Sequence, residues 1–306
     1  MPKSQRLLIK GLVAGLPLGL FVSIGIALAL YVNEPGRLGQ RENEKSISAR
    51  PIAQADLERT IRVLTEDVGP RSLVKEPEAA ERARKFVQST LGPDNIGYFT
   101  EAKGRQIDEA YAPAVFAELP GRGRAGELVV IVAAYTSQPG SADYGAASGC
   151  AALLSIAKAM AGSEHQRTIR FVGYAAGAGP AWQRNLSQVV RSGKEQASVV
   201  LDLDVLTVPA RISGIWEADV PLTLRTRNHA LGVDVATRFA RGTGLRIKII
   251  EAIDEAPAWS PQMTVTSDDH PKSGEFGDWD YPRFTQTAIK LQKLVERLAN
   301  PGHLID

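Results

Sequence analysis

Five side chains that can bind a metal ion lie in predicted loops or at a predicted strand end: Asp143, Asp204, Asp268, Asp269 and His270. Carboxylate oxygens and imidazole nitrogens are common ligands of divalent cations, which can activate a bound water for hydrolysis. Asp143 lies in the segment Ala133–Ser148, which follows the apolar run Leu128–Val132. Ligands of open α/β sheets bind outside the carboxyl ends of the strands, so we expect any site to lie in this segment.

The elements on either side of this loop follow from hydrophobic periodicity. Leu128–Val132 is typical of a strand buried on both faces, and Glu127 opens it. After the loop, a helix is predicted from Cys150 by apolar residues at helical spacing: Leu153, Leu154, Ala157, Met160 and Ala161. Cys150 is the only cysteine, which excludes an intrachain disulfide, and its place on the inner helix face suits a small buried hydrophobe.

Strands and helices alternate along the rest of the chain, which predicts an α/β domain. The predicted helices begin near Ala53, Pro77, Ala181, Asn228 and Thr285, and further strands cover Tyr111–Leu119, Thr168–Tyr174, Ser198–Val205 and Arg246–Ile250. We expect the strand Tyr111–Leu119 to pair with the strand opened by Glu127, because a short turn joins them.

Composition and charge exclude one class of function, nucleic-acid binding. The chain has 306 residues, 44% of them hydrophobic and 23% charged, an ordinary globular balance. The net charge is +2, and without Lys3, Arg6 and Lys10 the 36 basic residues fall to 33 against 34 acidic ones. No surface basic enough for nucleic acid is predicted, so nucleic acid is excluded as an expected partner.

Residues 11–33 contain no charged side chain, and these 33 − 11 + 1 = 23 positions are long enough to cross a bilayer as one helix. The basic residues before it predict a cytoplasmic N-terminus (1–10), and a polar linker (34–52) leads to an extracytoplasmic or periplasmic domain (53–306). Membrane lipid is the partner expected for residues 11–33. The rival hypothesis is a signal peptide cleaved near Ala27–Ala29.

Several segments in order resemble the M28 family of zinc aminopeptidases, over most of Ala53–Asn300. Val68-Gly-Pro-Arg71 is similar to the family's G-P-R turn, and the strand ending Ala134-Tyr-Thr-Ser137 is similar to its a-H-y-D-S segment. Gly145-Ala-Ala-Ser-Gly149 is similar to its D-N-x-S-G turn, and Ser267-Asp268 begins a segment similar to S-D-H-x-x-F. The resemblance implies a mixed, largely parallel central sheet flanked by helices.

The same resemblance implies that the family's two-zinc site is degenerate in this chain. The first family His falls on Ala134, the bridging Asp on Gly145, and the Glu pair on Gly177 and Ala178. Asp204 alone keeps a ligand type, and a single carboxylate holds a divalent ion too weakly for structure or catalysis. We therefore assign no catalytic, cofactor-binding or metal-binding residue and expect no cofactor.

Two hypotheses follow. The first is a membrane-anchored, non-catalytic M28-like protein that acts as a binding module or complex subunit, its partner being another membrane protein or a bound peptide. The second is a metal-dependent aminopeptidase or other hydrolase with relocated ligands, in which Asp143, Asp204 and Asp268–His270 would hold zinc. Whether this chain is an enzyme stays open at this point, with the missing ligands and general base favouring a non-enzyme.

Overall fold

The computed structural model describes residues 49–107, 110–137, 139, 144–176, 196–204, 206, 222–251, 262–267 and 280–303. The predicted membrane helix 11–33 lies outside these residues, as do Asp143, Gly177, Ala178, the predicted helix Ala181–Arg191 and the segment Asp268–His270. In the described part of the chain, no helix combines the length and the apolar character needed to cross a membrane.

Five α-helices are described. They are α1 (Gln54–Arg62), α2 (Pro77–Leu91), α3 (Tyr144–Met160), α4 (His229–Asp234) and α5 (Tyr281–Ala299). Helices α1 and α4 each continue as a π-helical turn, over Val63–Asp67 and Val235–Phe239. The strands are β1 (Thr100–Ile107), β2 (Ala110–Leu119), β3 (Arg124–Ala134), β4 (Arg167–Tyr174), β5 (Gln196–Leu203), β6 (Leu222–Thr226), β7 (Ile247–Glu251) and β8 (Gln262–Ser267).

The helices form where amphipathic periodicity and local stop signals coincide. Helix α2 buries one apolar face and has Pro77 in its first turn. Helix α5 likewise buries apolar residues at helical spacing, and the side chain of Asn228 caps α4 by accepting a hydrogen bond from Leu231 N (3.1 Å). The predicted helix starts near Pro77 and Asn228 are confirmed. Helix α5 begins at Tyr281 rather than Thr285, because Asp280 accepts from Arg283 N (3.0 Å) and caps it earlier.

All eight strands belong to one mixed sheet with the order β1-β2-β4-β3-β5-β8-β6-β7. Strands β4, β3, β5 and β8 are parallel, as are β6 and β7, whereas β1-β2, β2-β4 and β6-β8 are antiparallel pairs. This arrangement confirms the predicted mixed, largely parallel sheet flanked by helices. Strands β1, β6 and β8 were not predicted from the sequence.

The expected pairing of β2 with β3 is wrong, because β4 lies between them. Helix α3 connects β3 to β4 as a crossover and places β4 parallel beside β3, with Ile131 opposite Phe171. Strand β2 then adds to the far side of β4 in the antiparallel sense, with Phe116 opposite Val172. The short turn from β2 to β3 therefore spans a strand instead of forming a hairpin.

The hydrophobic core encloses strand β3 on both faces. Residues Leu128–Val132 are fully buried, alternate members facing two separate apolar clusters, which confirms burial on both faces of β3. Helices α1, α2, α3 and α5 contribute to the larger cluster, together with Ile131. Cys150 is buried in this cluster, and burial raises the pKa of its thiol to about 12, so it packs as a hydrophobe.

Candidate functional site

The carboxyl edge of the sheet, where β3, β4 and β5 end beside the first turn of α3, is the site expected from the sequence. Pairing continues one residue beyond the strands, since Tyr135 N donates to Tyr174 O (2.9 Å). Thr136 Oγ1 then donates to Ala176 O (3.0 Å) and accepts from Ala176 N (2.8 Å). These bonds hold the segments after β3 and β4 together with neutral groups only.

Arg71 fixes the preceding turn to this edge. Its side chain is completely buried, its Nε donates to Tyr135 O (2.8 Å), and its Nη1 donates to Leu64 O (3.2 Å) and Gly69 O (3.3 Å). Gly69 adopts a φ of 74°, which an L side chain rarely does, so the turn needs glycine there. The sequence identified this turn by its resemblance to the family's G-P-R turn, but it did not predict that the Arg71 side chain would be buried and bonded to three carbonyl oxygens. We call these contacts the Arg71 clamp.

Helix α3 approaches the end of β5 with no space between the backbones. A Cβ on Gly149 would lie 2.6 Å from Asp204 O and closer still to Leu203 O. Ser148 Oγ donates to Gly145 O (2.6 Å) and accepts from Leu206 N (2.9 Å), which ties the first turn of the helix to the residues after β5. The expected loop Ala133–Ser148 is therefore shorter than predicted, because α3 begins at Tyr144.

The structure describes three of the positions at which the resemblance to the M28 family implies metal ligands. Ala134 is half-buried at the last position of β3, and Gly145 is buried in the first turn of α3. Neither residue has a side-chain donor atom for a metal. Asp204 follows β5 directly, is exposed, and its backbone N–H donates to Val265 O (3.1 Å). Among the described residues, no group of three or more His, Cys, Asp or Glu side chains could hold a metal ion.

The donor set in the described part of this edge does not fit a two-zinc centre. Such a centre needs ligands on both sides of a bridging carboxylate, and the corresponding side chains at Ala134 and Gly145 are a methyl group and a hydrogen. Asp143, Asp268, Asp269 and His270 lie outside the described residues, so ligation by them remains a hypothesis.

A buried acid that the sequence did not predict lies near this edge. Asp202 is 8% exposed and accepts a hydrogen bond from Tyr174 Oη, which lies 3.2 Å from Oδ1 and 3.4 Å from Oδ2. Burial, reinforced by the charge of Asp204 and opposed by the tyrosine hydrogen bond, raises the pKa of Asp202 to about 7. Burial, followed by these two acids, also raises the pKa of Tyr174 well above its usual value. The carboxyl group can therefore gain or lose a proton near neutral pH.

An apolar cavity of about 390 Å³ lies beside the clamp, between the start of α2 and the start of β2. Its lining includes Leu73, Val74, Tyr111 and Tyr135. Val74 is 69% exposed and Tyr111 is 59% exposed, whereas Tyr135 is buried and donates through Oη to Pro113 O (2.6 Å). The cavity is therefore lined mainly by apolar and aromatic side chains, with Glu81 as a charged residue in its lining.

A serine, a histidine and an asparagine at the other end of the sheet are arranged superficially like a catalytic triad. His165 is 6% exposed, its Nε2 lies 2.8 Å from Ser163 Oγ, and its Nδ1 lies 3.0 Å from Asn300 Nδ2. The amide of Asn300 is fixed, because Nδ2 also donates to Glu296 O (3.0 Å) while Oδ1 accepts from Gln166 N (3.0 Å). Nδ1 is therefore an acceptor and Nε2 carries the proton.

That tautomer excludes a nucleophilic role for the serine. Nε2–H donates to Ser163 Oγ, and the serine hydroxyl donates to Met160 O. The imidazole cannot take the serine proton in this arrangement, as a general base would have to. The group is a buried structural connection between the end of α3 and the end of α5.

Comparisons with known proteins support the fold. No family model matches the chain and no curated protein is similar to it. Its fold is similar to that of the LapA aminopeptidase of Legionella pneumophila, with 14% identity, a TM-score of 0.63 and coverage of 81% of this chain and 72% of that one. It is also similar to a zinc aminopeptidase of Bacillus subtilis, with 12% identity, a TM-score of 0.60 and coverage of 82% of this chain and 97% of that one. A third similar structure is a glutaminyl cyclase of Bacteroides thetaiotaomicron bound to N-acetylhistamine, with 12% identity, a TM-score of 0.62 and coverage of 81% of this chain and 99% of that one.

These similarities show that the chain has an aminopeptidase-like α/β fold, as the resemblance predicted. At 12% to 14% identity they extend no further than the fold. Because an aminopeptidase and a glutaminyl cyclase share this architecture, the fold by itself selects no reaction.

Proposed function

We propose that this chain is a membrane-anchored, non-catalytic protein whose aminopeptidase-like domain binds a partner. The observation that carries the proposal is the chemistry of Ala134 and Gly145, which lie at the end of β3 and the start of α3. These are the positions where the family resemblance implies a histidine and a bridging aspartate. Without a donor atom at either position, the described edge offers a metal no coordination shell.

The remaining acids do not replace the lost ligands. Asp204 is exposed, and a carboxylate that shares an ion with water binds a divalent cation weakly. Asp202 is buried, and both of its carboxylate oxygens lie within hydrogen-bond distance of Tyr174 Oη (3.2 and 3.4 Å), so they are already engaged within the protein. The family's general base falls on Gly177 or Ala178, neither of which can accept a proton.

The apolar cavity between α2 and β2 supports a binding role. Exposed apolar side chains such as Val74 and Tyr111, next to a formed concavity of about 390 Å³, are typical of surfaces that receive an apolar side chain of a partner. An extended peptide of a partner protein suits such a cavity, since one of its side chains would fill it. The partner is then either a free peptide or a segment of another membrane protein.

The proposed function includes a membrane anchor formed by residues 11–33. Residues 11–33 would hold the chain in the lipid bilayer with residues 1–10 in the cytoplasm, so the domain would face the periplasm or another extracytoplasmic space. Retention in membranes after alkaline carbonate extraction supports this anchor, and release into the soluble fraction contradicts it.

Site-specific photocross-linking in native membranes tests the binding surface. A photoreactive residue at Tyr111, and separately at Val74, is expected to give the same covalent partner, which mass spectrometry would identify. The matched control is Phe99, which is 68% exposed but does not line the cavity. Absence of adducts at Tyr111 and Val74, or equal adducts at Phe99, would count against the cavity as the binding surface.

The number of zinc ions bound per chain tests the proposal that this protein is non-catalytic. The purified full chain is expected to retain fewer than one zinc ion per molecule and to show no amidase activity on aminoacyl substrates. Two bound zinc ions together with turnover would refute the proposal.

The alternative is a hydrolase with relocated ligands, and the raised pKa of Asp202 favours it, because an acid that titrates near neutral pH can transfer protons in catalysis. In this hypothesis Asp143, Asp204 and Asp268–His270 hold the metal. Replacing Asp204 by Ala should then abolish both metal binding and turnover, while Asp94→Ala, an exposed change outside the edge, should leave them unchanged. Unchanged activity in the Asp204 variant would remove this alternative.

A further inference from the structure

A second cavity, separate from the carboxyl edge, lies between the helices that cover the sheet. It has a volume of about 410 Å³ and is bounded by α1, by the second half of α2 and by the second half of α3. Ser155 of α3 lines it, ten residues after Gly145 in the same helix. At 1.5 Å per residue this is a distance of about 15 Å along the helix, so the two regions are distinct.

The charged side chains around this helical cavity are mainly basic. Arg50, Arg59 and Lys158 line it, against Asp56 as the acidic lining residue. Lys158 Nζ lies 2.7 Å from Asp56 Oδ2, so these two charges compensate each other. In the part of the chain that the structure describes, the guanidinium groups of Arg50 and Arg59 form no ion pair. Two positive charges therefore remain uncompensated at the rim.

The backbone of Arg50 contacts the end of α3, and its side chain is exposed. Its backbone N–H donates to Lys158 O (3.4 Å), which holds this part of the chain against the end of α3. Arg59 belongs to α1, whose Leu57 and Ile61 are fully buried. Both arginines therefore line the cavity from backbone that contacts or belongs to the surrounding helices.

The floor of the cavity contains an unused hydroxyl group. Ser155 is 5% exposed, and no described residue forms a hydrogen bond with its side chain. The neighbouring hydroxyls behave differently: Thr60 donates to Asp56 O (2.9 Å) and Thr90 donates to Phe86 O (2.7 Å). Among the described residues, the oxygen of Ser155 is not one of the fully buried side-chain atoms that lack a partner, so it keeps access to solvent in the cavity, and a molecule bound there can accept its hydroxyl hydrogen.

We propose that the helical cavity binds a phosphate group of a small ligand. Arg50 and Arg59 would pair with the phosphate charge, and Ser155 would donate its hydroxyl from the floor. A tetrahedral phosphate suits donors that converge from different elements, and guanidinium groups form charge-assisted, often bidentate bonds to its oxygens. Apolar lining residues, including Phe86, Ile96 and Leu154, would contact the body of the ligand.

Two sources supply this chemistry, a soluble phosphate ester and the headgroup of an anionic lipid. Binding to the detergent-solubilised full chain can be measured by isothermal titration calorimetry with three probes: inorganic phosphate, glycerol 3-phosphate and dihexanoylphosphatidylglycerol. We expect saturable binding of glycerol 3-phosphate with displacement by inorganic phosphate. Tighter binding of the short-chain lipid than of glycerol 3-phosphate assigns the site to a lipid headgroup, and the reverse order assigns it to a soluble ester.

Charge reversal identifies the binding position. Arg59→Glu is expected to weaken binding by at least about tenfold, because it removes one positive charge and adds a negative one at the rim. The matched control is Arg62→Glu in the same helix, whose side chain is 66% exposed and does not line the cavity. This control should change the affinity by less than about twofold.

Ser155→Ala tests the floor without altering charge, and we expect it to weaken binding by about three- to tenfold through loss of one hydrogen bond. Unaltered thermal unfolding of each variant without ligand shows that the fold is intact. Failure of the wild-type chain to bind any of the three probes overturns the proposal. Equal losses for Arg59→Glu and Arg62→Glu also overturn it, because binding would then depend on overall charge.

Discussion

The carboxyl edge and the amino edge of the sheet differ in the groups that close them. At the carboxyl edge, the neutral side chains of Thr136 and Ser148 bond to backbone atoms, and the buried Arg71 donates to carbonyl oxygens. At the amino edge, where β3 and β4 begin, Arg167 Nε lies 2.7 Å from Glu127 Oε2, and Arg167 Nη1 donates to Leu298 O (2.9 Å).

In α/β folds of this kind ligands bind at the carboxyl edge. At the described carboxyl edge, Thr136, Ser148 and Arg71 hold backbone segments together and Asp202 accepts a hydrogen bond from Tyr174, whereas an ion pair closes the amino edge. The two edges of one sheet are therefore closed by different kinds of contact, which can be tested separately.

The largest effect is expected from Arg71→Met. The change removes a buried guanidinium that donates to Tyr135, Leu64 and Gly69 carbonyls, and each carbonyl left without a donor costs about 1–3 kcal/mol. We expect the free energy of unfolding to fall by about 3–5 kcal/mol in urea denaturation of the purified chain. This would show that the clamp is essential to the carboxyl edge.

Arg82→Met is the matched control. Arg82 is exposed and its Nη2 lies 3.5 Å from Val68 O, near the same turn. Its replacement should change stability by no more than about 0.5 kcal/mol. Similar losses for Arg71→Met and Arg82→Met would mean that the carboxyl edge does not depend on the buried clamp.

The sequence predicted the local elements well where periodicity and stop signals were contained within one segment. Helix α2 is the clearest case, because its five buried residues, Ala79, Ala80, Ala83, Val87 and Leu91, repeat at helical spacing between proline-containing boundaries. Strands β1, β6 and β8 were missed. Only Ala102 and Ile107 of β1 are apolar, and the formation of β6 and β8 depends on distant partners. The order of β2, β4 and β3 likewise depends on the crossover through α3.

The site could be predicted only in part. That Ala134 and Gly145 have no side-chain atom able to bind a metal follows from residue identity and needs no coordinates. The roles of Arg71 and Asp202 depend on which groups surround them after folding, and a local sequence pattern cannot predict those neighbours. One signal was present: Asp202 interrupts the apolar strand Val199–Leu203, which placed a carboxylate among buried residues.

The second prediction concerns the pH dependence created by Asp202. Its pKa of about 7 in the folded chain exceeds its ordinary value of 3.8, so between these values the folded state binds more protons than the unfolded state. The free energy of unfolding should therefore decrease as pH rises from about 4 to about 7, and stay constant above that. Asp202→Asn, which keeps an acceptor for Tyr174 Oη, should remove this decrease and be more stable than the wild type at pH 8 by about 2–4 kcal/mol.

Urea denaturation at intervals from pH 4 to pH 8 measures the effect, with Asp94→Asn, at an exposed position, as the control. The control should follow the wild-type curve. If Asp202→Asn also runs parallel to the wild type over this range, the buried acid does not titrate as its surroundings predict.

The smallest expected effect has the opposite pH dependence and lies at the amino edge. Burial lowers the pKa of His165 below its ordinary value of 6.5, an effect that the charge of Glu296 opposes. Between the pKa of His165 in the folded state and its value of 6.5 in the unfolded state, the unfolded state binds more protons. The contribution of His165 to the free energy of unfolding is therefore complete above pH 6.5 and is lost as pH falls toward the folded-state pKa. One group contributes at most about 1.4 kcal/mol per pH unit.

The physical cause of this loss is the fixed amide of Asn300. A proton on His165 Nδ1 would face Nδ2, and the amide cannot rotate to offer its oxygen because Oδ1 accepts from Gln166 N and Nδ2 donates to Glu296 O. His165→Gln should therefore flatten the decline in unfolding free energy between pH 6.5 and pH 5, whereas His229→Gln, at an exposed helix start, should leave it unchanged. Equal flattening by both variants would assign the acid sensitivity to general charge instead of to this buried contact, and the two edges would then no longer differ in the sign of their pH response.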